Sequence, residues 1–175
     1  MGEAELAMER RLGASEENIL VMQGNLANTY AAIGRNEEAL QMRRDVYSAH
    51  LRLYGEEDQH TLVAANNYAH GLIDLRLFED AKSVLRSTVP VARRIVGAGH
   101  DHTLRIGYNY ARALYQDDGA TLDDLRESVG MLEELERTAR RVMGGAHPLT
   151  VDIERELRHA RAALRARETP PAGDK

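Results

Sequence analysis

The sequence predicts an all-α fold: an α-α superhelix of antiparallel helical hairpins, closed by a terminal capping helix. Three observations carry that prediction. Asn25-Leu26-Ala27, Asn67-Tyr68-Ala69 and Asn109-Tyr110-Ala111 stand 42 residues apart, as do Gly13, Gly55 and Gly97. Between these markers apolar residues recur in steps of three and four, the spacing of one helix face. No stretch shows the alternation of a strand. A fixed period of this size belongs to a solenoid, in which each unit buries its apolar face against its neighbours.

The elements follow in order. Residues 1–14 read as a partial leading helix, because Gly2 to Leu12 aligns only with the end of a repeat's second helix. Repeats are expected at 15–57, 58–99 and 100–147, a capping helix at 148–167, and a disordered tail at 168–175, with 1–167 as one domain. The middle repeat shows the logic. Asp58 and Thr61 open a helix striped by Leu62, Ala65, Tyr68, Ala69, Leu72 and Ile73. Arg76-Leu77-Phe78 makes the turn. A second helix begins near Glu79-Asp80-Ala81, with acidic residues where the helix dipole favours them. Its stripe is Ala81, Val84, Leu85, Val89, Ala92, Ile95 and Val96, and Gly97 and Gly99 end it.

Small residues recur where helices must approach: Ala27, Ala69 and Ala111 on first helices, Ala39 and Ala81 on second helices. Gly34 serves the tight turn of the first repeat. Pro90 removes one backbone bond inside a second helix and predicts a kink there. Thr103 to Thr150 spans 47 residues, so five are inserted, within Gln116 to Asp124. The last helix keeps Leu149, Val151, Ile153, Leu157 and Leu164 but is otherwise rich in Arg and Glu, as the polar end of a repeat array requires.

Composition narrows the function. With 43% hydrophobic and 29% charged residues the chain is that of a folded protein, and it has no cysteine. That excludes a disulfide framework, a cysteine nucleophile and thiolate metal sites. A net charge of −5 argues against nucleic-acid binding, which needs a concentrated positive surface. No apolar run approaches the roughly 18 residues needed to span a bilayer, and Met1 to Arg10 does not resemble a secretory signal. The expectation is a cytoplasmic protein with neither membrane nor nucleic-acid partner.

The segment Asn25 to Leu40, Asn-Leu-Ala-x-x-Tyr-x-x-x-Gly-Arg-x-x-Glu-Ala-Leu, resembles a tetratricopeptide repeat (TPR). The 42-residue period is similar to the longer subtype of kinesin light chains and nephrocystin-like proteins. Linkers such as Leu53-Tyr54-Gly55 and Gly144-Gly145-Ala146-His147-Pro148 add to that likeness. Against a standard unit of about 34 residues, eight more would lengthen a helical pair by about 12 Å.

The resemblance implies that first helices line a concave groove holding a peptide. Carried onto this chain, the lining is Val21, Gly24, Asn28 and Ala31, then Val63, Asn66, Asn67, His70 and Asp74, then Arg105, Tyr108, Asn109, Arg112 and Gln116. The candidates for partner contact are Asn28, Asn66, Asn67, His70, Arg105, Tyr108, Asn109 and Arg112. Asn both donates and accepts, which suits a peptide backbone, and Arg105 and Arg112 suit a carboxylate. A carboxylate-gripping subfamily would need five set residues; this chain offers Gly24, Asn28, Asn67, Arg105 and Asn109, of which three match in kind. The Asn25, Asn67 and Asn109 column has an equally good packing explanation, a side chain tying one helix to the next.

Nothing in the sequence calls for chemistry. His60, His70, His100 and His102 lack a converging third or fourth metal ligand, and Asp58, His100 and His147 share one register, which suits capping or packing at the helix start. Asp117, Asp118, Asp123 and Asp124 lack the register of a calcium loop and read as solvated acidic residues. Phosphate-loop, dinucleotide, serine-hydrolase and zinc-protease motifs are absent. The chain is therefore expected to be a non-catalytic scaffold for a protein or peptide, without cofactor or metal. Two other readings are a sensor or scaffold segment of a larger signalling NTPase, and a self-associating array that forms a homo-oligomer through uncovered terminal helices.

Overall fold

The computed structural model describes residues 15–169, together with Ala4, Met8 and Gly13. Most of the expected leading helix and most of the expected tail lie outside the described residues. Seven helices are described: α1 (Glu16–Ala32), α2 (Asn36–Tyr54), α3 (Gln59–Asp74), α4 (Phe78–Ile95), α5 (Asp101–Tyr115), α6 (Leu122–Met143) and α7 (Pro148–Glu168). Each packs on its chain neighbours, and α3 also touches α5, as α5 touches α7. The odd-numbered helices thus form the inner layer and the even-numbered helices the outer layer of an all-α superhelical repeat fold.

The period is visible in the contacts. Ala27, Ala69 and Ala111 are all 0% exposed. Ser128, 47 residues after Ala81, donates its hydroxyl to the Ala111 carbonyl at 2.8 Å, so the two columns of small residues meet where paired helices cross. Leu62, Leu72, Leu85, Ile106 and Leu114 form one core cluster, and Leu104, Leu132, Leu135, Leu149 and Ile153 the next.

The linkers also repeat. Asp58 accepts the His60 and Thr61 amides, His100 that of His102, and His147 that of Leu149, so the shared register of these residues is helix capping. Gly55, Gly97 and Gly144 take positive φ between the pairs. Inside the pairs Gly34 does so at +82°, and Arg76, 42 residues later, occupies the same left-handed region at +59°. Pro90 lies inside α4 without ending it.

The insertion differs from its expected role at Asp117, while Asp118 and Asp123 are exposed as expected. Asp117 is not solvated: its carboxylate accepts Lys82 Nζ at 2.9 Å and the Gly119 amide at 2.9 Å, while Asp118 pairs with Arg76 at 2.7 Å. Lys82 stands in the column of Leu40, a position whose burial demands a counter-ion once it carries charge. The inserted loop supplies it.

Candidate functional site

The inner layer encloses a concave cavity of about 420 Å³ lined by Asn28, Asn66, Asn67, His70, Arg105, Tyr108, Asn109, Arg112, Arg43, Leu149 and Asp152. All eight residues singled out from the sequence border it. Three others do so unpredicted: Arg43 from α2, and Leu149 and Asp152 from α7. Val21, Gly24, Ala31, Val63, Asp74 and Gln116 do not line this cavity. Gln116 instead bonds the Tyr115 hydroxyl at 3.1 Å.

The asparagines divide by environment. Asn67 is exposed, whereas Asn109 is 3% exposed and donates to Asn66 Oδ1 at 3.0 Å, fastening α5 to α3. Its own Oδ1 is buried without a partner. The third member, Asn25, is exposed. The fourth position of the column, 47 residues on, is Glu156, which is buried and receives the Tyr115 hydroxyl. Burial and that bond keep the Tyr115 phenol protonated well above its usual range.

The charges divide as well. Arg105 is held by Asp101 at 2.7 Å, and Asp152 accepts from Arg155 at 2.6 Å. Asp74, outside that lining, pairs with His70 Nδ1 at 3.1 Å. Burial opposes ionising Asp74, but the His70 bond and the fields of Arg112 and Arg43 outweigh it and hold its carboxyl below the ordinary range. The Arg112 side chain makes no hydrogen bond or ion pair with another described residue; its guanidinium lies over the Tyr108 ring at 5.7 Å and its Nε is buried without a partner. Arg43 reaches Asn28 Oδ1 at 3.3 Å and leaves its Nε buried and unpartnered.

Such an arrangement presents hydrogen-bonding amides and under-used cations, and no nucleophile–base pair. Among the described residues no group of three or more His, Asp or Glu is placed to hold a metal, and no helix is long and apolar enough to cross a membrane.

No family model matches the chain, and no curated protein matches it. Solved structures do. A Podosopora anserina protein described as a kinesin light chain, with nearly identical TPR-like repeats, superposes with a TM-score of 0.73 at 23% identity, covering 82% of this chain and 66% of that one. A second crystal structure of that protein gives 0.77 at 22% identity, covering 95% and 76%. BtubC (BKLC) from P. vanneervenii gives 0.57 at 15% identity, covering 93% and 69%. At these identities the likeness establishes the fold: a TPR-like repeat array of the type found in kinesin light chains.

Proposed function

We propose that this array is a non-catalytic cytoplasmic scaffold that docks an extended peptide segment of a partner protein in its concave groove. Repeat scaffolds of this type generally serve protein interaction, and the groove reading goes one step further. One observation carries it: exposed Asn67, the unpaired Arg112 and the half-used amide of Asn109 converge on a single cavity. Unsatisfied polar groups in a concave wall cost stability and are recovered when a ligand supplies partners.

Selection from a displayed random-peptide library tests the reading. Wild type is compared with an Asn67→Ala, Arg105→Ala double variant, both sites being exposed and so neutral to folding. Peptides enriched by wild type and lost by the folded variant support groove docking. Enrichment indifferent to the substitutions refutes it.

A further inference from the structure

Successive junctions of the outer layer are finished in opposite ways. Where α4 and α6 flank α5, Lys82 meets Asp117 at 2.9 Å towards one end and Arg93 meets Glu134 at 3.0 Å towards the other. One repeat earlier, 42 residues back or 47 across the insertion, these positions hold Leu40 with Leu75 and Leu51 with Ser87. Among the described residues no ion pair crosses from α2 to α4. The charges that bridge one junction are thus replaced by leucines and a serine at the other.

An apolar furrow results, running between α2 and α4 over one face of α3. It holds two cavities, of about 420 Å³ and about 100 Å³. Leu62, Ala65, Tyr68 and Leu72 of α3 line them in turn, continued by Leu75. Tyr68 lines the larger cavity and Tyr47 the smaller, and their rings stack at 5.9 Å where the two adjoin. Leu51 on the α2 side and Leu77 at the start of α4 remain 40% and 43% exposed. Apolar surface gathered in a concave strip gains free energy when a partner removes it from water.

The rim says what that partner carries. Glu37 and Asp80 border the larger cavity and Glu56 the smaller, and their side chains make no hydrogen bond or ion pair with another described residue. Against these three acids the rim sets one cation, Arg44. The backbone state follows from the floor. An extended peptide laid on leucine and tyrosine would leave its own amides without partners, whereas a helix satisfies them internally and needs only an apolar face. Leu40 and Leu51 are eleven residues apart on α2, so the furrow is about 16 Å long, three turns of a docked helix.

We propose that the furrow between α2 and α4 is a second docking surface, separate from the concave cavity, for an amphipathic helix of a partner protein. That helix presents bulky apolar side chains at i, i+3 or i+4, and i+7 to the two cavities, and Lys or Arg to Glu37, Asp80 and Glu56.

The test selects a displayed library of random hexadecapeptides on wild type and measures the enriched peptides by anisotropy. Leu51→Arg with Ser87→Glu installs the bridge of the next junction at two exposed positions, and Leu77→Lys puts a charge on the exposed lip; circular dichroism checks that each folds. Peptides with the helical apolar spacing and Lys or Arg should be enriched. They should weaken about tenfold on both furrow variants and bind the Asn67→Ala, Arg105→Ala groove variant unchanged. Glu37→Gln with Asp80→Asn should weaken them about threefold and flatten their salt dependence. Affinity kept by either furrow variant, or indifference to the neutralised rim, overturns the proposal. So does enrichment of alternating or acidic peptides alone, or binding lost only on the groove variant; groove docking then stands without a second surface. No enrichment at all overturns both.

Discussion

Lys82 and Asp117 join the inserted loop to the second repeat, and a double-mutant cycle on them measures how strongly. Their side chains are 7% and 17% exposed and lie 2.9 Å apart. Removing one partner of a buried ion pair costs about 3–5 kcal/mol. Here Glu79, at 2.6 Å and largely exposed, still supports Lys82, so Asp117→Leu should cost about 2 kcal/mol. Lys82→Leu leaves Asp117 with only the Gly119 amide and should cost about as much. The double variant recreates the Leu40 and Leu75 arrangement of the preceding repeat, 42 residues earlier. It should lie within about 1 kcal/mol of wild type, giving a coupling of about 3 kcal/mol.

Urea unfolding followed by circular dichroism provides the measurement, with comparable slopes required across the variants because repeat arrays can unfold piecewise. The Lys82 and Gly119 hydrogen bonds hold the Asp117 carboxyl below its usual range. Its contribution is therefore present above about pH 3.9 and lost as pH falls through the lower folded value. Burial alone would lower Lys82, but Glu79 and Asp117 outweigh it and raise the pKa. That contribution persists below about pH 10.4 and is lost as pH rises through the higher folded value. Single-variant losses that add within about 0.5 kcal/mol would refute the reasoning, by showing the two charges screened from one another.

Three further outcomes are expected. Ala111→Leu drives a larger side chain into the crossing where Ser128 bonds the Ala111 carbonyl, and should lower stability by about 1–3 kcal/mol in the same urea assay. His50 is buried beside Tyr54 and His60, and burial first, then His60, push its pKa down; Asp58 and Glu17 act in the opposite sense. Its contribution is thus present above about pH 6.5 and lost as pH falls through the lower folded value, so His50→Leu should flatten the fall in melting temperature between pH 7.5 and 5. Asn66→Ala orphans the amide of buried Asn109 and should cost about 1–2 kcal/mol, whereas Asn67→Ala, exposed, should stay within about 0.5 kcal/mol of wild type.

The period made most of the fold legible, because packing in a solenoid repeats with the chain. Columns such as Ala27, Ala69 and Ala111 carry one physical demand, and so do the caps Asp58, His100 and His147. What escaped the sequence were departures from the columns. Asp117 read as solvated because its partner, Lys82, is 35 residues away and occupies a position held by leucine one repeat earlier. Arg43 escaped because the groove was assigned to first helices alone. Only its pairing with Gly71, against Leu85 with Ala113 and Leu132 with Ala160, marks it out.

Packing and recognition were alternatives for the Asn25, Asn67 and Asn109 column, and the structure shows why no single answer fits it. Asn109 lies between three helices, where an amide can be buried only if it bonds. Asn66 meets its donor and leaves its acceptor unmet. One repeat earlier Asn67 borders the same cavity but faces water, so it carries no packing demand. One repeat later the position becomes Glu156 and is closed by Tyr115 and Gln116. The same column therefore runs from solvent, through a half-satisfied floor, to a sealed end. Burial, which changes from repeat to repeat, sets the duty of each member, and residue identity alone could not.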